Sequence, residues 1–127
     1  MIADSSFLIS FFEPDDTNHG AAMQYAAKDS AQVFVIPDRV LEETLTAMTY
    51  KKGMPYALKL LEKVQKNRQM IIRTTREQEV HATFKRIAQI QQKMSFIDYL
   101  IVELSVGLQT PLISFDRQVN RLRKLLG

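Results

Sequence analysis

Asp4, Asp98 and Asp116 occupy similar local positions. Asp4 closes the run MIAD, Asp116 follows the run PLISF, and Asp98 falls in the first turn of MSFIDYLIVELSVGL, residues 94–108. A fourth acid, Glu42 or Glu43, lies one turn into the helix expected after QVFVIP. Carboxylates that converge repel, so such a group either keeps some members protonated or encloses a cation. Mg²⁺ or Mn²⁺ suits an all-oxygen set, because hard cations take oxygen ligands and retain several waters. Open coordination positions would then receive a phosphate and a water, which is the layout of metal-assisted phosphodiester hydrolysis.

Convergence depends on the elements that carry the acids. The segment 1–4 is a short apolar run, and SSFLISFF continues from it as a helix that Glu13-Pro14 ends. His19, Ala22, Met23 and Ala26 recur at helical spacing within 15–28. QVFVIP, 32–37, is β-branched and aromatic, as expected of a buried strand. A helix should open at Pro37-Asp38 and stop at Lys51-Lys52-Gly53, and another should run from Pro55 to Lys66. QMIIRT, 69–74, reads as a strand and 76–92 as an amphipathic helix. The apolar helix of 94–108 comes next, then a strand over 111–115 and a last helix over 116–126. Strands alternating with helices predict an α/β fold, a mainly parallel sheet of about four strands covered on both faces. In open sheets of this kind ligands bind outside the carboxyl ends of the strands, where these acids fall.

Each acid also has a plainer reading. Asp4 and Asp116 are ordinary N-caps for the helices that follow them. Ser95-Phe96-Ile97-Asp98 fits the capping-box pattern before an apolar run, which alone would explain an acid in so apolar a helix.

With 127 residues, the chain is long enough for one domain, residues 1–127, with a core of its own. The absence of cysteine excludes disulfides, thiolate metal sites and a cysteine nucleophile, and fits a cytoplasmic setting. No run approaches the roughly 20 apolar residues needed to span a bilayer, and the N-terminus has no signal-peptide pattern. Net charge is +3, which permits nucleic-acid binding without requiring it.

MIADSSFLI, IPDRVLEETLTAM, MSFIDYLIVE and LISFDRQV resemble the four acidic signatures of the PIN-domain nucleases. More narrowly they resemble the VapC-type toxins of toxin–antitoxin pairs. Any one motif is short enough to arise by chance, and it is the ordered set, spread over nearly the whole chain, that carries the resemblance. It implies a PIN-like fold and a divalent-metal-dependent endoribonuclease that leaves 5′-phosphate and 3′-hydroxyl ends. It places the catalytic, metal-binding acids on Asp4, Glu43, Asp98 and Asp116. Glu43 is preferred to Glu42 by alignment to P-D-x-V-L-x-E. Supporting hydroxyls fall on Ser6 and Ser114. The partners implied are RNA, a cognate antitoxin seated against the early helices and Met54, Tyr56, Leu60 and Leu61, and a second copy in a homodimer. Family members usually carry a short strand after the last helix, and this sequence stops at Leu126-Gly127.

Arg117 and Arg121 are the candidates for tracking an RNA backbone, against the simpler view that a basic helix is a solvated face. His19 and His81 have no second ligand at useful spacing. A catalytically inactive PIN-fold protein acting as an RNA- or protein-binding module is the main alternative. An aspartyl phosphatase is disfavoured because Asp4-Ser5-Ser6 lacks the second acid of a D-x-D pair.

Overall fold

Short apolar runs and amphipathic stretches form alternating strands and helices in a computed structural model that describes residues 1–127. In chain order these are β1 (Ile2–Ala3), α1 (Ser5–Phe12), α2 (His19–Lys28), β2 (Phe34–Pro37), α3 (Asp38–Lys52) and α4 (Met54–Lys66). They continue with β3 (Met70–Arg73), α5 (Glu77–Ile90), α6 (Phe96–Gly107), β4 (Leu112–Ile113) and α7 (Arg117–Leu125). The sheet has four strands in the order β3-β2-β1-β4, all parallel. Ile2 stands opposite both Val35 and Leu112, and Ala3 opposite Ile113.

This order decides where the helices go. The connections from β1 to β2 and from β2 to β3 step one way, and the connection from β3 to β4 returns across the sheet. Right-handed crossovers therefore put α1 to α4 on one face and α5 and α6 on the other. The packing follows that division: α1 touches α2 and α3, while α6 lies between α5 and α7. Parallel pairing also brings the carboxyl ends of all four strands to one edge, which carries Asp4 beyond β1 and Asp116 beyond β4.

The core is one cluster in which β1, β2, α1 and α6 supply most of the large side chains, among them Ile2, Phe7, Leu8, Phe34, Ile36, Tyr99 and Ile101. Phe7 and Phe34 pack with ring centroids 4.8 Å apart. Burying side chains of this size stabilises the fold by about 1.5–3 kcal/mol each. The apolar helix noted in the sequence is α6, with Tyr99, Leu100, Ile101, Val102, Leu104 and Ser105 buried. Gly53, at φ 93°, ends α3 and lets α4 begin at the next residue. No helix is long and apolar enough to cross a membrane.

Four local expectations need correction. The second helix starts at His19 rather than Asp15, because the Asp16 carboxylate accepts the Asn18 N–H at 2.9 Å and the Ser10 hydroxyl at 2.8 Å, turning the chain first. The strand expected from Gln32 begins at Phe34. The strand expected over 111–115 is two residues long, because beyond Ile113 the chain turns toward side-chain partners. Leu60, expected on a partner groove, is buried in the core, and Tyr56 donates to Glu13. No strand follows α7.

Candidate active site

Asp4 is 2% exposed at the end of β1, with its N–H held by the Ile113 carbonyl at 3.0 Å. A carboxylate this deep needs donors, and four groups supply them. The Ser5 N–H reaches Oδ1 at 2.7 Å, while the Ser6 and Ser114 hydroxyls reach Oδ2 at 2.9 and 2.7 Å; the Ser5 hydroxyl adds a longer contact to Oδ1 at 3.5 Å. Each of the last two hydroxyls also accepts a backbone N–H, Ser6 from Phe115 and Ser114 from Asp116, both at 2.9 Å. Their protons are thus committed to Asp4, and the network stitches the end of β1 to the end of β4. This explains why both strands are so short: backbone pairing yields to a side-chain network at the sheet edge.

Glu43, not Glu42, faces this network. Its Oε1 accepts from the Ser5 hydroxyl at 3.3 Å, whereas Glu42 is exposed. The Ser5 hydroxyl therefore spans Asp4 and Glu43, a role that the sequence reading, which named Ser6 and Ser114, did not give it. Asp98 lies in the first turn of α6, whose N-cap Ser95 accepts the Asp98 N–H at 3.1 Å. Asp116 caps α7 with Oδ1, taking the N–H groups of Gln118 at 2.8 Å and Val119 at 3.2 Å. The capping readings of Asp4 and Asp116 therefore hold as geometry, and capping engages only one oxygen of Asp116.

The acids act on one another electrostatically. Burial pushes the Glu43 carboxyl above its ordinary value, and the charges of Asp98 and Asp4 push it further, against the Ser5 hydrogen bond. Asp98 is raised by burial and then by Asp4 and Asp116, with Ser95 pulling the other way. Each of the four acids is thus linked to at least one of the others. None takes part in an ion pair. Elsewhere three acids withdrawn from water are neutralised, Glu13 by Lys52, Glu79 by Arg73 and Glu103 by Arg86, while Asp16 and Asp38 are held by hydrogen bonds alone. The four side chains nevertheless stand apart, and no three of them close around a single point as a ready-made ligand set.

The donor set fits the chemistry of a hard divalent cation: all oxygen, multiply charged, and with no member in an ion pair. Arg117 and Arg121 are both exposed on α7 and make no ion pair, whereas Arg123 donates to the Ser105 hydroxyl at 2.6 Å. His19 is occupied with the Ser10 carbonyl at 2.8 Å.

A parallel α/β sheet with an acidic group at its carboxyl edge defines the class of protein. The PIN domain model matches residues 1–125, and the chain belongs to the PIN domain family. Among solved structures it is similar to VapC20 of Mycobacterium tuberculosis, described as a sarcin–ricin loop cleaving toxin. Identity is 16%, over 95% of this chain and 93% of that one, with a TM-score of 0.82. It is also similar to VapBC2 from Rickettsia felis, solved bound to a DNA fragment from their promoter. Here identity is 12%, over 94% of this chain and 90% of that one, with a TM-score of 0.69. At such identities the likeness is one of fold. No curated protein matches the chain.

Proposed function

We propose that this PIN-domain protein is a divalent-metal-dependent endoribonuclease, the toxin of a toxin–antitoxin pair. The observation that carries the reading is the group of four mutually repelling acids on one sheet edge, linked through Asp4 and Asp98 and unrelieved by any lysine or arginine. Such a group costs stability unless something outside the chain neutralises it. Family membership and the fold shared with a toxin described as cleaving the sarcin–ricin loop support RNA as the substrate.

In this reading Asp4, Glu43, Asp98 and Asp116 would hold Mg²⁺ or Mn²⁺, which when bound would acidify water and neutralise phosphate charge. Ser6 and Ser114 fix the rotamer of Asp4 through Oδ2, leaving Oδ1 turned toward Ser5 and Glu43. Ser5 ties Glu43 to the same point. One of these carboxylates would be placed to take a proton from a water at the site. We place the reaction in the cytoplasm, where its RNA substrates are. The antitoxin and a second copy are proposed as partners on the family resemblance, and the exposed apolar side chains of Tyr50, Met54 and Leu58 around the α3–α4 junction offer the antitoxin a surface.

Cleavage of an RNA panel in Mg²⁺ and in Mn²⁺, comparing the parent with Asp4→Asn and Asp98→Asn, tests the reading. A loss of at least about a hundredfold in both variants is expected, the scale of losing a group that stabilises the transition state. Equal cutting by parent and variants would mean a contaminating nuclease and leave the inactive binding module as the better description.

A further inference from the structure

Arg39 is half-buried, yet its guanidinium has no partner in the protein. Arg73 donates to Glu79, Arg86 to Glu103 and Arg123 to Ser105. Arg39 contributes only its backbone N–H, to Asp38 Oδ1 at 2.8 Å, and joins no ion pair. The nearest carboxylate, Asp38, feels the Arg39 charge but accepts no hydrogen bond from its guanidinium, its Oδ1 being taken by the Thr75 hydroxyl at 2.5 Å. Arg39 lies four residues before Glu43 in α3, so the two share a helical face, with Arg39 one turn nearer the sheet edge. It does not pair with Glu43 even so. Neither takes part in an ion pair: Glu43 holds only the Ser5 hydroxyl and Arg39 only the field of Asp38, which leaves the carboxylate available to a metal and the guanidinium's hydrogen-bond donors available to another anion.

The sheet order gives that anion a path. With β2 and β4 on either side of β1, α3 and α7 leave the edge on opposite flanks of Asp4. Arg39 belongs to one flank and Arg117, which follows Asp116 and is exposed, to the other. A polyanion crossing the acids would meet a guanidinium on each side. We propose that Arg39 is a phosphate-gripping residue of the RNA site, holding the backbone on the Glu43 side of the scissile bond. This rests on the ribonuclease reading and adds a positioning residue to it. Arginine suits the role because its planar fork matches two phosphate oxygens at once, whereas lysine offers a point charge.

The test uses Arg39→Gln and Arg39→Lys in the full chain, with Asp98→Asn as the inactive reference. Arg68→Gln is a charge control, because Arg68 is exposed and precedes β3 at the opposite edge of the sheet. Two quantities are measured: kcat/KM on a single-stranded oligoribonucleotide in Mn²⁺, and binding of the same oligoribonucleotide to metal-free protein across a salt series. Arg39→Gln should lower kcat/KM by about 10- to 100-fold, the effect of losing a charged hydrogen-bonding contact. Its slope of log affinity against log salt should shrink by about one, the signature of one lost phosphate contact. Arg39→Lys should restore the slope but not the full rate, and Arg68→Gln should cut like the parent. Unfolding midpoints should match throughout. A parent-like rate and slope in Arg39→Gln, while Asp98→Asn stays inactive, overturns the role of Arg39 and leaves the nuclease standing. A fall in rate that tracks a lower unfolding midpoint in both Arg39 variants overturns it in favour of a packing role. If parent and Asp98→Asn cut alike, the nuclease reading itself fails and takes this one with it.

Discussion

Asp98 can be weighed by proton linkage. Burial and the charges of Asp4 and Asp116 raise its folded-state pKa above that of the unfolded chain. Between the two values the folded protein holds more protons than the unfolded one, so stability falls as pH rises through that window. The cost is absent below the ordinary carboxylate range and fully present above the raised value. Metal-free Asp98→Asn should therefore be more stable than the parent at neutral pH, with the gap closing as the pH is brought below the ordinary range. Chemical denaturation across a pH series measures it. A gap that ignores pH, or a variant weaker than the parent at neutral pH, contradicts the repulsion inferred here. The sequence showed where these acids sit along the chain, but not their mutual repulsion. That depends on which side chains go unpaired, and lysines and arginines such as Lys52, Arg73 and Arg86 are drawn off to other carboxylates by tertiary contacts that no local pattern displays.

Elements were legible where periodicity had length to work with. The helices α3, α4 and α6 begin and end within a residue or two of where caps, glycine and proline indicate, since each has three or more turns of pattern. The strands β1 and β4 were readable as apolar runs but not as two-residue pairings, because their ends are set by Ser6 and Ser114 bonding across 108 to 110 positions of sequence. Hidden in the same way was the clamp that fixes α1 against α3 and α4. Glu13, buried at the end of α1, accepts from Lys52 Nζ at 2.8 Å and from the Tyr56 hydroxyl at 2.5 Å. Burial pushes the Glu13 carboxyl up, but these bonds outweigh it and hold the pKa below the ordinary value. Lys52→Met leaves the carboxylate without its cation. Removing one partner of a buried pair destabilises by leaving the other charge uncompensated, and because Lys52 is partly exposed the loss here should be clear but well short of that of a fully buried pair. A depressed folded pKa contributes stability above the unfolded value and loses it as pH falls through the folded one. The difference between Lys52→Met and the parent should accordingly be largest near neutral pH and shrink in acid. A constant difference would mean that lost packing of the lysine stem, rather than charge, is what the variant reports.

At the scale of the whole molecule, one bound ion should act on every element at once. The four acids lie just after β1, in α3, in α6 and just after β4, so a cation among them would tie together parts of the chain far apart in sequence. An unfolded chain offers no such site, and metal affinity for the folded state alone adds directly to stability. At a free concentration a hundredfold above Kd the gain is about 2.7 kcal/mol, on the order of a 10 °C rise in unfolding midpoint for a chain of this size. Mg²⁺ or Mn²⁺ should raise the midpoint of the parent by that amount, while matched ionic strength from NaCl should not. The rise should grow with pH as Glu43 and Asp98 ionise, because the ion then relieves the repulsion that destabilises the free protein. Asp98→Asn starts from the more stable metal-free state and has one ligand fewer, so it should gain little. A parent whose midpoint ignores both ions at every pH has acids that hold no metal, and the fold would then carry the outline of a nuclease without its ion.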